Sequence, residues 1–151
     1  MAQELTVTIN GNPFLDGRTD TARIMLDWKT GASDGAVSLA VCTTFITAQA
    51  AKGPGYAQPK KIKGYLRFIE TIPGLNGNLT TTLPTALYDI TLLDAYSYDV
   101  AAGSLNDRSG TAAERVVPSA PIFLDTDLTL TIAAAGNSTT GRIIMEVTPE
   151  P

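Results

Sequence analysis

Glu4-Leu5-Thr6-Val7-Thr8-Ile9-Asn10-Gly11 decides how the rest of the chain is read. Leu5, Val7 and Ile9 alternate with Thr6 and Thr8, the period-two pattern of a half-buried strand, and Asn10-Gly11 stops it with a strong turn signal. The same alternation returns at Ile24, Leu26 and Trp28 against Arg23, Met25 and Asp27. Thr30-Gly31 and Asp34-Gly35 then break the chain before Val37, Leu39, Val41 and Phe45, which predicts two strands joined by a short glycine-rich loop. Trp28 shares the phase of Ile24 and Leu26 and is expected to anchor the core.

Downstream, residues 47–61 have no period and contain Pro54 and Pro59, so they read as a long exposed loop. Strands are expected from about Ile62 to Glu70 and from about Leu87 to Asp94. Further strands follow around Val116-Val117, Ile122-Phe123, Leu128-Leu130-Ile132 and Ile143-Met145-Val147. Ala133-Ala134-Ala135-Gly136-Asn137 predicts a hairpin between the last two. Thr111-Ala112-Ala113-Glu114 has the spacing of a capping box and allows one short helical turn. Eight or nine short strands punctuated by turns predict an all-β fold, a single-domain β-sandwich or Greek-key barrel. Residues 22–151 form that domain; residues 1–21 are either one more strand of it or an assembly arm.

Composition narrows the chemistry. The chain has 151 residues, no histidine and one cysteine, Cys42. Intrachain disulfides, Cys/His zinc sites and histidine-based triads are therefore excluded. Cys42 lies in an apolar stretch and reads as a small buried residue. Charged residues make up 17% against an average near ~25%, and the net charge is −4, so no basic nucleic-acid footprint is expected. Neither a signal peptide nor a membrane span is apparent, and the expected site of synthesis is a cytoplasm.

Asp89, Asp94 and Asp99 recur every five residues and are the conceivable catalytic groups, but solvated strand-end and turn aspartates explain the spacing with less. Asp125-Thr126-Asp127 lacks the pattern of a calcium loop and reads as a turn into the Leu128 strand. No catalytic residue, cofactor or metal is expected. Tyr96 and Tyr98 would face the same way in an extended segment, as in some sugar-binding platforms; with Tyr56 they make a host-surface carbohydrate-binding module the alternative of another class. The candidate partner-binding residues are Leu5, Val7, Ile9 and Phe14 in the N-terminal segment, and Lys52, Tyr56, Lys60, Lys61 and Lys63 on or beside the long loop.

A resemblance adds to this reading. Ile24-Met25-Leu26-Asp27-Trp28, Lys63-Gly64-Tyr65-Leu66 and Ile72-Pro73-Gly74 begin an ordered pattern. It continues through Leu83-Pro84-Thr85-Ala86-Leu87-Tyr88-Asp89-Ile90-Thr91-Leu92, Asp99-Val100-Ala101-Ala102-Gly103, Asn106-Asp107-Arg108-Ser109, Ala135-Gly136-Asn137 and Thr140-Gly141-Arg142. Over about residues 22–147 the chain resembles small virion proteins of tailed bacteriophages. The resemblance implies a non-enzymatic particle component: a capsid decoration (cement) protein, or else a neck, collar or tail element. It further implies a homo-oligomer, a trimer in preference to other states, whose partners are the major capsid protein or other virion proteins.

Overall fold

A computed structural model describes residues 3–10, 21–33, 35–50, 61–74 and 82–150. Phe14, Lys52, Tyr56 and Lys60 lie outside the described residues, as does the stretch 51–60 of the expected loop. Nine strands and one helix are present among the described residues: β1 (Glu4–Asn10), β2 (Ala22–Lys29), β3 (Val37–Ala40), α1 (Val41–Ala50), β4 (Ile62–Pro73), β5 (Asp89–Leu93), β6 (Glu114–Val116), β7 (Ile122–Thr126), β8 (Thr129–Ala133) and β9 (Thr140–Thr148).

The strands form two antiparallel sheets, the all-β sandwich that the alternation predicts. One runs β1-β2-β9-β4-β6, with β7 also paired to β4; the other runs β3-β8-β5. Strand β4 is long enough to carry two short strands end to end on one side, β7 along Ile62–Leu66 and β6 along Ile69–Thr71. Ile24, Leu26 and Trp28 project from the larger sheet with Ile69, Ile143, Met145 and Val147. They meet Val37, Ile90, Leu92, Leu130 and Ile132 of the smaller sheet, and all are buried. Burying such aliphatic side chains contributes roughly 1.5–3 kcal/mol apiece before conformational entropy is set against it. Trp28 is fully buried and its ring lies 5.7 Å from that of Tyr88, as an anchor should.

The first strand joins the sheet. All seven residues of β1 pair with β2, from Glu4 opposite Lys29 to Asn10 opposite Arg23, and Leu5, Val7 and Ile9 pack against the core. Residues 4–10 thus form a strand of the larger sheet.

Three local expectations fail. Val41 and Phe45 were expected to continue the strand of Val37 and Leu39, and Thr47–Ala50 to open a loop; residues 41–50 are helical instead. The reason is a cap supplied from 85 residues away: Cys42 N donates to Asp127 Oδ1 at 2.8 Å, and Thr43 Oγ1 donates to Asp127 Oδ2 at 3.3 Å. Val41 N also donates to the Leu128 carbonyl. These bonds satisfy N–H groups that a helix start leaves orphaned. The helical turn expected at residues 111–114 is absent. Ser109 Oγ accepts from Thr111 N and Ala112 N, the Glu114 carboxylate accepts from Ser109 N, and Glu114 opens β6.

The hairpin expected between the last two strands does not form, and the glycine-rich loop expected after Trp28 joins two strands of different sheets. Strands β2 and β3 belong to different sheets, and so do β8 and β9; each connection is an arch crossing the sandwich. The two arches lie side by side and are bonded to each other. Thr30 Oγ1 donates to the Gly136 carbonyl at 2.7 Å and accepts from Thr139 N at 2.8 Å, while Ser138 N donates to the Gly31 carbonyl. Gly35, at φ 62°, sits so close to Gly136 that a Cβ would lie 3.0 Å from its carbonyl carbon. At the opposite end, α1 packs against β1 and β3.

Candidate binding surface

The loop of residues 94–109 is built from aspartates. Asp94 Oδ1 accepts from Tyr96 N and Tyr98 N, and the Asp94 carbonyl accepts from Ser97 N. Asp99 repeats the design: its carboxylate accepts from Ala101 N and Gly103 N, and its carbonyl from Ala102 N. Each turn places its fourth residue, Ser97 or Ala102, in the left-handed region, at φ 65° and 50°. Such conformations cost energy for non-glycine residues and persist where surrounding bonds over-determine them, as the carboxylates do here. Asp99 Oδ1 also accepts from Leu92 N, and Asp89 Oδ1 accepts from Asp107 N, which ties the loop to the outer edge of β5. The five-residue recurrence of Asp89, Asp94 and Asp99 thus has a structural cause. All three carboxylates hold backbone N–H groups.

Opposite this loop, Val117-Pro118-Ser119-Ala120-Pro121 links β6 to β7. Between the two lies a mostly apolar groove of about 620 Å³, floored by Leu66 and Ile69 of β4 and walled by Tyr98, Val100, Ala101, Val116 and Ile122. The same link lines a second hollow of about 230 Å³ beside Tyr65 and Arg67. Tyr96 is 92% exposed, Tyr98 62%, and Val117 and Phe123 are also exposed. Tyr96 and Tyr98 do not sit in an extended segment, since Ser97 turns between them, so the common orientation expected of their rings loses its basis. Tyr98 borders the groove; Tyr96 does not line it.

The remaining candidates are scattered. Leu5, Val7 and Ile9 are half-buried in β1, and their inward side chains pack against the core. Lys61 is exposed just before β4, and Lys63 lies within β4 opposite Asp125. The structure does not bring these lysines to the groove. Sequence reasoning missed the groove because its walls carry no motif. The paired prolines around Ser119-Ala120, next to exposed Val117, are the one local signal that a short apolar link stays at the surface.

The outward face of the larger sheet is organised by charge. Asp27 is buried there and accepts a two-pronged ion pair from Arg142, its cross-strand neighbour, at 2.6 and 3.1 Å. That bond raises the pKa of the Arg142 guanidinium further. Arg23 pairs with Glu146, Arg115 pairs with Glu70, and Arg115 lies 4.1 Å above the Phe68 ring. Among the described residues no cluster of three or more Cys, Asp or Glu side chains could hold a metal ion, and no helix is long and apolar enough to cross a membrane.

The fold and these surfaces define the chain as a two-sheet antiparallel β-sandwich with an aspartate-bonded loop beside an apolar groove. No family model, no curated protein and no solved structure matches it.

Proposed function

We propose that this protein acts by binding other protein surfaces within an assembly, as a non-enzymatic component of a tailed-bacteriophage virion that attaches to and stabilises the capsid. One observation supports the binding role above the others: the loop of residues 94–109 is fixed by its own aspartates and presents Tyr98 beside an apolar groove. A pre-formed surface of this kind loses little entropy on docking, because its backbone is already ordered. The virion assignment rests on the sequence resemblance. Part of the sequence that carries it, Asp89–Leu92, Asp99–Gly103 and Asn106–Ser109, builds β5 and this loop.

Attachment of the purified chain to particles that lack it tests the proposal. Saturable binding that weakens when Tyr98→Ala and Val117→Asp are introduced together supports it. Absence of the protein from purified particles, by immunolabelling, would overturn the virion role. A place in the neck, collar or tail would appear as label at one vertex and not over the whole shell. Tyr96 and Tyr98 are exposed enough to support carbohydrate binding as a second reading. Glycan-array signal from the isolated protein, lost in Tyr96→Ala/Tyr98→Ala, would favour it.

A further inference from the structure

A strand at the margin of a sheet leaves a row of N–H and C=O groups open, and proteins usually block such rows. Three of the margins here are guarded. Strand β3 has its Ser38 N bonded to Gln3 Oε1 at 2.6 Å and turns into α1 after four residues. The edge of β5 is covered by residues 94–109. Strands β6 and β7 are three and five residues long, with Pro118 and Pro121 between them. Strand β1 differs: seven residues long, it has no proline, no bulge and no inward charge, and although α1 packs against it, no hydrogen bond among the described residues reaches its outer side.

We propose that β1 pairs with β1 of a second copy of this chain, antiparallel and in the register that places Val7 opposite Val7 on a two-fold axis. The sequence Glu4-Leu5-Thr6-Val7-Thr8-Ile9-Asn10 is symmetric about Val7 in its polar and apolar positions. In that register Leu5 meets Ile9, Thr6 meets Thr8, and the single charge, Glu4, meets neutral Asn10. Aliphatic residues thus stay on the core face of both copies, Thr on Thr covers the outer face, and no like charges meet. Sliding by one residue would set inward side chains against outward ones, and sliding by two would forfeit part of the overlap. The register holds whichever alternate set of β1 residues bonds to β2, because an antiparallel strand always points the other set outward. Pairing joins the two larger sheets into one continuous sheet across the dimer and removes the exposed edge. This inference stands on the edge alone and does not rest on the virion assignment; its two-fold symmetry differs from the trimer that the resemblance implies.

The test is the mass of the full chain in solution, by light scattering or sedimentation, for three sequences. The wild type is expected at twice the chain mass of 15.9 kDa. Thr6→Lys/Thr8→Lys sets two like-charge pairs across the axis and should weaken the dimer by on the order of tenfold. Thr6→Lys/Thr8→Glu changes the same two exposed positions but sets opposite charges across the axis, and should dimerise at least as well as wild type. Circular dichroism on both variants checks that the sandwich is retained. A wild type that stays monomeric at several hundred micromolar overturns the proposal. So does any oligomer, trimer included, that is indifferent to both variants, and so does equal loss of the dimer in both.

Discussion

Gly141 lies directly across the β2–β9 ladder from Trp28, and the indole covers the place where a side chain at 141 would go. A Cβ built there would fall 2.7 Å from Cε2 and 3.0 Å from Nε1 of the indole. Because Trp28 is fully buried against Tyr88, the ring has nowhere to retreat. Gly141→Ala is therefore expected to destabilise the fold by at least the ~1–3 kcal/mol of ordinary overpacking. Trp28→Ala should cost ~3–5 kcal/mol. The double variant should cost clearly less than the sum, since removing the indole relieves the clash at 141. Urea midpoints for the four proteins measure this coupling.

The same contact gives an optical reading of an ionisation. Burial pushes the Tyr88 phenol up from 10.0 to about 12; the nearby Glu114 charge adds to the shift and Arg108 opposes it. The unfolded chain loses this proton near pH 10, whereas the folded chain holds it until about 12. Stability from this group is thus present in full below about pH 10 and is lost as pH rises toward 12. Trp28 is the one tryptophan, and its ring centroid is 5.7 Å from Tyr88, so tyrosinate formed there should quench its fluorescence. Quenching with a midpoint near 12 that disappears in Tyr88→Phe is the expected result. In that variant the loss of stability between pH 10 and 12 should also be smaller.

Asp99 carries a separate prediction, because one carboxylate accepts three backbone N–H groups, from Leu92, Ala101 and Gly103. Asp99→Ala leaves those donors without their acceptor and Ala102 with an unsupported left-handed φ of 50°. We expect a loss of about 1–3 kcal/mol. Hydrogen exchange of Ala101 and Gly103 should accelerate far more than that of core strands such as β9. Uniform acceleration through the whole sandwich would mean that the loop and the core open together.

These contacts show what a one-dimensional reading could reach. Alternation at Ile24–Trp28, Leu128–Ile132 and Ile143–Val147 places each strand and its inward face, since burial on one side of a sheet leaves a period of two. Pairing is not local. The Gly31–Gly35 and Gly136–Asn137 turns look like hairpin turns, yet both are arches, and what separates arch from hairpin is Thr30 bonding to Gly136 and Thr139, more than 100 residues away. Asp99 reads as a turn residue from its sequence, which it is; that Asp94 and Asp99 make two copies of one turn needs the φ of Ser97 and Ala102. The groove was not legible, because Leu66 and Ile69 reach it from β4 and Val117 from a link with no pattern of its own.

Helix α1 gives the last prediction, because its existence depends on a residue outside it. Val41, Thr43 and Thr44 are β-branched and favour a strand, and the local sequence offers no N-terminal carboxylate. Asp127 supplies one, bonding Cys42 N and Thr43 Oγ1, and its negative charge also suits the positive end of the helix dipole. Removing it in Asp127→Ala should cost about 0.5–2 kcal/mol, the worth of an N-cap. Cys42 reports on the same event without any added probe. Its thiol is buried, and burial first, then the Asp127 charge, raises its pKa well above the ordinary thiol value. Little reactive thiolate therefore exists in the native protein, and a thiol reagent at neutral pH should label it only through opening of the structure. In Asp127→Ala the static effects on the thiol would favour ionisation and the lost cap would favour opening, so both raise the labelling rate. Asp127→Asn separates them, since the amide oxygen can still accept from Cys42 N while the charge is gone. Labelling that rises in the Ala variant and only slightly in the Asn variant assigns the effect to the cap. Equal labelling in both would assign it to the charge. Rapid labelling of the wild type, at the rate of the unfolded chain, would show that α1 is not held closed in solution.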